Sequence, residues 1–233
     1  MQPAEIGWRP LYESWKNTLP SYFDDNEEEQ QNAQMMNIEE LVEIVVQPII
    51  NYVRTECRET TATNDQSIVQ ALLRLWGTLL KQFDDASFTE DLDKRAATAQ
   101  VDNMFLFAVI WSLCITCDSE FRRPIDMYLK KVLEGSLEDL PKFQGNKKIL
   151  PSKFDRGLIY DYFYDVKGAE WKHWMADVNK DEIDNFARDA QPQEIIVTTV
   201  DTMRYSYIQK FCINNEIPTL FVGPTGTGKS VYI

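Results

Sequence analysis

Histidine is nearly absent: His173 is the only one among 233 residues. A single imidazole excludes multi-histidine metal centres. Any Ser-His-Asp or Cys-His mechanism would have to pass through a ring set between Trp171 and Trp174, with no nucleophile motif nearby. Basic residues are also scarce, 24 Lys and Arg against 37 Asp and Glu, for a net charge of −13. They are nowhere clustered, so the chain lacks the footprint of a nucleic-acid or anionic-membrane surface. Long hydrophobic runs are missing as well. The apolar stretch Met104 to Cys117 is 14 residues long, about 21 Å as a helix against a hydrocarbon core of about 30 Å. No basic segment with an apolar run opens the chain, which points to a cytosolic setting.

Cysteine is sparse too. Cys57, Cys114, Cys117 and Cys212 in a chain of this length do not make a disulfide framework. Cys114 and Cys117 have CxxC spacing, but no second CxxC exists to complete a zinc site. They read as core thiols on an apolar helix.

With 44% apolar and 12% aromatic residues the chain can bury a core, in one large domain or two small ones. The first two-thirds reads as helices. Pro10 fits the first turn of a short helix through Leu11, Trp15 and Leu19 that Pro20 stops. Asp24 to Gln34 is a polar, acidic loop. Asn37 and Glu40 have capping-box spacing ahead of Leu41, Ile44, Val45, Ile49 and Tyr52, with Pro48 expected to kink or divide that helix. Ile68, Leu72, Leu75, Trp76, Leu79 and Phe83 make a wide apolar face on a helix within 65–83. Residues 101–117, apolar nearly all round, predict a central helix; another runs from about Pro124 to Leu133 and closes at Gly135. The stretch 134–151 reads as an irregular connection. Residues 158–165 and 170–174 predict a β-hairpin with Gly168 at its turn, whose alternation faces Trp171 and Trp174 oppositely. One tryptophan could thereby be exposed, although packing within its own domain is the favoured expectation.

Chemistry enters at the end. Ile195 to Thr199 is β-branched, residues 201–214 are helical in pattern, and Thr219 to Val222 is a short apolar run expected to be a strand. Gly223-Pro224-Thr225-Gly226-Thr227-Gly228-Lys229-Ser230 then satisfies G-x-x-x-x-G-K-[ST]. Gly223, Gly226 and Gly228 let backbone N–H groups close around phosphate oxygens where a Cβ would obstruct. Lys229 brings a cation to the β- and γ-phosphates, and the Ser230 hydroxyl is a magnesium ligand. The expected ligands are ATP or ADP with Mg2+. Only three residues follow Ser230, and the carboxylate-bearing strand that hydrolysis requires is not in the chain. The expectation is a chain truncated within a P-loop domain, binding ATP weakly at best and hydrolysing none, with no catalytic residue of its own.

The sequence resembles the motor region of dynein heavy chains, axonemal members above all. Met1-Gln-Pro with Ile6-Gly-Trp-Arg-Pro-Leu11, Ser14-Trp15 and Leu19-Pro20 is similar to the passage from the second AAA+ module to its helical lid. Phe105-Leu-Phe107, Trp111, Cys117-Asp118, Arg122 and Arg123 resemble later lid helices, and Tyr160-Asp-Tyr162 with Trp171 and Trp174 the hairpin before the third module. Thr199-Val-Asp-Thr-Met-Arg-Tyr205 and Val222 to Ser230 resemble the opening and phosphate loop of that module.

The resemblance implies a mainly α fold, an AAA+ helical lid over 1–133. A connection and β-hairpin follow over 134–190, and the start of an α/β P-loop NTPase domain over 191–233. It implies that Gly223 to Ser230 cradle nucleotide, that Ile196 and Val197 lie by the adenine, and that this site tunes hydrolysis elsewhere in the ring. The family usually has proline before the threonine of the opening segment, where this chain has Thr198. The implied partners are neighbouring AAA+ modules, dynein intermediate and light chains, and microtubules through other regions, with no nucleic acid or membrane. The implied location is the cytoskeleton of the ciliary axoneme, in the cytoplasm. The contrasting reading makes residues 1–133 a helical scaffold or interaction module without chemistry.

Overall fold

In a computed structural model of the chain, residues 6–24, 32–176, 199–223 and 225 are described. Helix α1, Arg9–Lys16, carries Pro10 in its first turn, where a missing N–H goes unnoticed. It stops short of Leu19, and a 3₁₀ turn over Ser21–Phe23 follows Pro20. Helix α2 spans Ala33–Glu56.

The start of α2 differs from the expectation. Asn32 is the cap, its side chain accepting from the Gln34 N–H at 2.8 Å. Asn37 lies inside the helix, buried, with Nδ2 donating to Asp102 Oδ1 at 2.9 Å. Nor does Pro48 divide the helix, which runs unbroken through it. Pro48 forgoes one backbone bond to Ile44, but α2 is clamped by tertiary packing on both sides of it.

Helix α3, Asp65–Leu80, begins with a reciprocal Asn64–Ser67 box and passes into a 3₁₀ turn over Lys81–Asp84. A single turn, α4, Ala86–Thr89, precedes the central helix α5, Lys94–Ser112, capped by Asp93. Every residue from Met104 to Ser112 on α5 is buried, because α2 and α3 cover one side and the hairpin another. Cys114 and Cys117 lie beyond its end, in a turn, rather than on the helix. Helix α6, Arg122–Glu134, packs on α2 and closes with Gly135 in the left-handed region at φ 64°. The Ser136 and Gly135 N–H groups donate back to Lys131 and Val132, a Schellman ending.

The irregular stretch 134–151 is tied to the helices. Phe143 and Ile149 enter the core. Lys147 Nζ reaches Asp102 Oδ1 at 2.9 Å and also bonds Asn37. The Gln144 N–H donates to Glu40 at 2.7 Å. Burial pushes the Asp102 carboxyl up, and Lys147 and Asn37 oppose that shift.

Strands β1, Tyr162–Asp165, and β2, Glu170–His173, pair antiparallel in the register Tyr162↔His173 to Asp165↔Glu170. At the turn the positive φ belongs to Ala169, at 51°, and not to Gly168. Gly168 is needed for another reason: a Cβ there would come within 2.8 Å of the Asp165 carboxylate. Lys172, bonded to Asp165 at 2.7 Å, holds that carboxyl below its ordinary value. A depressed carboxyl stabilises the fold above its unfolded pKa of about 4, and the contribution disappears as pH falls through the lower folded value. Acid titration of hairpin amide exchange should therefore show protection lost in that window in the wild type. In Asp165→Asn the step should be absent.

Both hairpin tryptophans are buried. Trp171 donates Nε1–H to Asn103 at 2.6 Å, and Trp174 donates to the Tyr160 carbonyl at 2.9 Å. The hairpin thus has two covered faces, so the alternation that pointed one ring outward points it into a second packing layer.

Candidate functional site

The phosphate-loop signature crosses the limit of the described residues. Gly223 and Thr225 are within it; Pro224, Gly226, Thr227, Gly228, Lys229, Ser230, Ile196 and Val197 lie outside. The geometry on view is the approach to the loop.

That approach is helix α7, Val200–Asn214, followed by a turn and residues 217–223. Thr199 and Thr202 form a reciprocal capping pair: the Thr202 N–H donates to Thr199 Oγ1 at 3.1 Å, and the Thr199 N–H to Thr202 Oγ1 at 2.7 Å. Thr199, expected at the end of a strand, is thus the helix cap. At the other end the Ile217 N–H donates to the Cys212 carbonyl at 2.8 Å and the Glu216 N–H to Ile213 at 3.2 Å. This is a Schellman ending with Glu216 at φ 55° where glycine is usual. Glu216→Gly removes that strain, and its thermal midpoint is expected to rise, by the equivalent of at most about 1 kcal/mol.

Residues 217–223 form no strand, contrary to expectation. Leu220 is 82% exposed and Val222 49%. A strand of a parallel sheet is held by ladders on its edges and helices on its faces. Among the described residues no strand lies beside this segment. Cys212 is buried, which raises its thiol pKa, and a hydrogen bond from Thr219 partly offsets the rise.

Helix α7 meets the lid at two places. The Tyr207 ring lies 5.2 Å from Trp174, 5.4 Å from Phe163 and 6.4 Å from Phe107, edge-on to the last. Two residues earlier on the helix, Tyr205 Oη accepts from Arg122 Nη2 at 2.5 Å, and Arg122 Nη1 stands 3.8 Å from Asp201. Arg204 also pairs with Asp201. These contacts escaped the sequence reading, which took residues 201–214 only as a helix. A tyrosine and an arginine 85 residues apart, at 207 and 122, carry no local sign of sharing an interface.

The other candidates are inert. Cys57, Cys114 and Cys117 gather near the end of α2, and burial raises all three thiols, Cys57 to about 12. They are protonated near neutrality. No group of three or more His, Cys, Asp or Glu among the described residues is placed to hold a metal.

Residues 38–176, from the start of α2 to just beyond the hairpin, match the family profile of the dynein heavy chain AAA lid domain. The chain belongs to the dynein heavy chain lid family. Residues 184–233 match a second dynein profile, the P-loop containing dynein motor region. The human dynein axonemal heavy chain 3 is 30% identical over 99% of this chain. The rat dynein axonemal heavy chain 12 is 31% identical over all of it, and the human dynein axonemal heavy chain 2 is 27% identical over 97%. The chain spans 6%, 7% and 4% of the length of these three dyneins. The helices, the hairpin and the approach to the phosphate loop are thus parts of a dynein lid followed by the opening of a dynein P-loop region.

Proposed function

We propose that this chain is the part of an axonemal dynein heavy chain in which the lid of the second AAA+ module joins the phosphate loop of the third. The whole protein would be an ATP-driven, minus-end-directed microtubule motor of the ciliary axoneme. The observation that carries the reading is continuity: one chain holds a lid match and a P-loop match in order, and α7, within the P-loop match, packs on the hairpin of the lid match. A purely scaffolding role suits residues 1–133 but leaves the loop unexplained.

In this proposal the units are 1–133, 134–190 and 191–233. Backbone N–H groups of Gly223 to Gly228 hold the phosphates, Lys229 neutralises the β- and γ-oxygens, and Ser230 ligates Mg2+. Ile196 and Val197 line the adenine. The described residues bear only indirectly on the fit. Gly223, at the loop's mouth, follows a segment in which Leu220 and Val222 are exposed. Neighbouring modules of the same heavy chain are the direct partners; intermediate and light chains and the microtubule bind elsewhere. The 233 residues alone bind ATP weakly and do not hydrolyse it, and the site regulates a hydrolytic centre in another module.

Microtubule gliding by the heavy chain that carries this segment tests the proposal. Lys229→Ala is expected to slow gliding several-fold while microtubule binding persists. Unchanged velocity would remove the regulatory role.

A further inference from the structure

Helix α7 packs shallowly, with Val200, Met203, Tyr205, Ile208 and Phe211 partly buried against the core. Of its 15 residues only Arg204, Gln209 and Cys212 are buried, and Ile213 near its end is 64% exposed. A helix of this length has little stability of its own in water, so its position depends on what it touches. What it touches is the hairpin and its surroundings. The Tyr207 ring stands within 5.2–5.4 Å of Trp174 and Phe163, and it shares Phe107 with Trp171. Phe163 stacks on Trp174 at 5.0 Å, and Trp174 meets Trp111 edge-on at 5.7 Å, so the seat continues into the central helix. The polar contact from Arg122 to Tyr205 fixes the rotation of α7 about its own axis.

From this geometry we infer that Tyr207 is a positioning residue: 38% exposed, with its ring laid against Phe107, Phe163 and Trp174, it couples the state of the phosphate loop to the lid hairpin. The inference rests on the proposed nucleotide site and concerns its regulation. Only 15 residues separate Tyr207 from Gly223, and half of them are helix ending in a tight Schellman turn. A nucleotide held from Gly223 onward therefore acts on α7 through a short connection. The ring contact is the place where α7 bears on the lid. Aromatic pairs of this kind contribute a modest attraction beyond their buried area. That is enough to bias a docked helix without locking it.

The test is peptide-resolved hydrogen exchange on the heavy chain carrying this segment, with and without ATP. In the wild type, ATP is expected to slow exchange several-fold both in the loop peptide 217–230 and in the hairpin peptide 162–173. Lys229→Ala should remove both responses, which assigns them to this loop and not to another module. Tyr207→Ala should keep the loop response and lose that of the hairpin, while Tyr207→Phe, which preserves the ring, keeps both. A hairpin response that survives in Tyr207→Ala overturns the inference, as does a wild-type loop response with a silent hairpin. A loop peptide indifferent to ATP in the wild type overturns the nucleotide reading instead, and the coupling with it.

Discussion

Asp126→Ala is expected to lower the stability of the chain by about 3–5 kcal/mol, the cost of breaking a buried ion pair from one side. Asp126 is 4% exposed, on α6. Its carboxylate accepts the Ile159 N–H at 2.8 Å and pairs with Lys130, one turn on, at 2.9 Å. Lys130 in turn donates to the carbonyls of Phe154 at 2.8 Å and Gly157 at 3.0 Å. The two side chains therefore pin to α6 the chain that leads into β1. Alanine would leave a half-buried ammonium against carbonyls without its counter-charge, and an amide without an acceptor. Asp126→Asn, which keeps an acceptor and drops the charge, should fall between alanine and wild type. Urea denaturation measures both, and hairpin exchange should accelerate in step. A loss under 1 kcal/mol for alanine would mean the pin carries no weight.

Trp76→Ala should cost a similar amount, about 3–5 kcal/mol, for a different reason. The ring is completely buried, at the centre of α3. It stacks on Trp15 at 5.1 Å and meets Phe105 of the central helix at 4.7 Å. Among the described residues its Nε1–H has no hydrogen-bond partner, so alanine sacrifices packing alone. On the far side Gly77 admits the Trp15 indole so closely that a Cβ would stand 2.8 Å from its Nε1. The void left by Trp76 is therefore walled by groups already fitted to one another, with little freedom to collapse. Against a total of about 5–15 kcal/mol for a domain, the loss would move a urea midpoint far enough to measure directly. Trp76→Phe, which fills much of the space, should recover more than half of it.

The helices were legible because their apolar residues recur at three and four, and Gly135 behaves as a C-terminal cap whatever surrounds it. Asn37 was misread because a capping box is a local pattern, whereas its real partners, Asp102 and Lys147, are 65 and 110 residues away. The stretch 134–151 has no period, and nothing in it announces that Lys147 would reach a buried carboxylate. Cys114 and Cys117 looked helical because the apolar run continues past Ser112, although the helix does not. One of Trp171 and Trp174 looked exposable because alternation gives two faces but not what covers each. For the nucleotide site, the loop is written in consecutive residues and so could be recognised without a fold. The seat of Tyr207 is assembled from three separate segments and could not.

The central claim is that Gly223 to Ser230 hold ATP through Lys229. Photolabelling the heavy chain with 8-azido-ATP, followed by mass mapping of the modified peptides, tests it most directly. Label is expected within the third-module region, on the peptides around Ile196 and Val197 that the adenine would face, and should fall at least ten-fold in Lys229→Ala. Equal labelling of the same peptides in Lys229→Ala, or none there in the wild type, would contradict it.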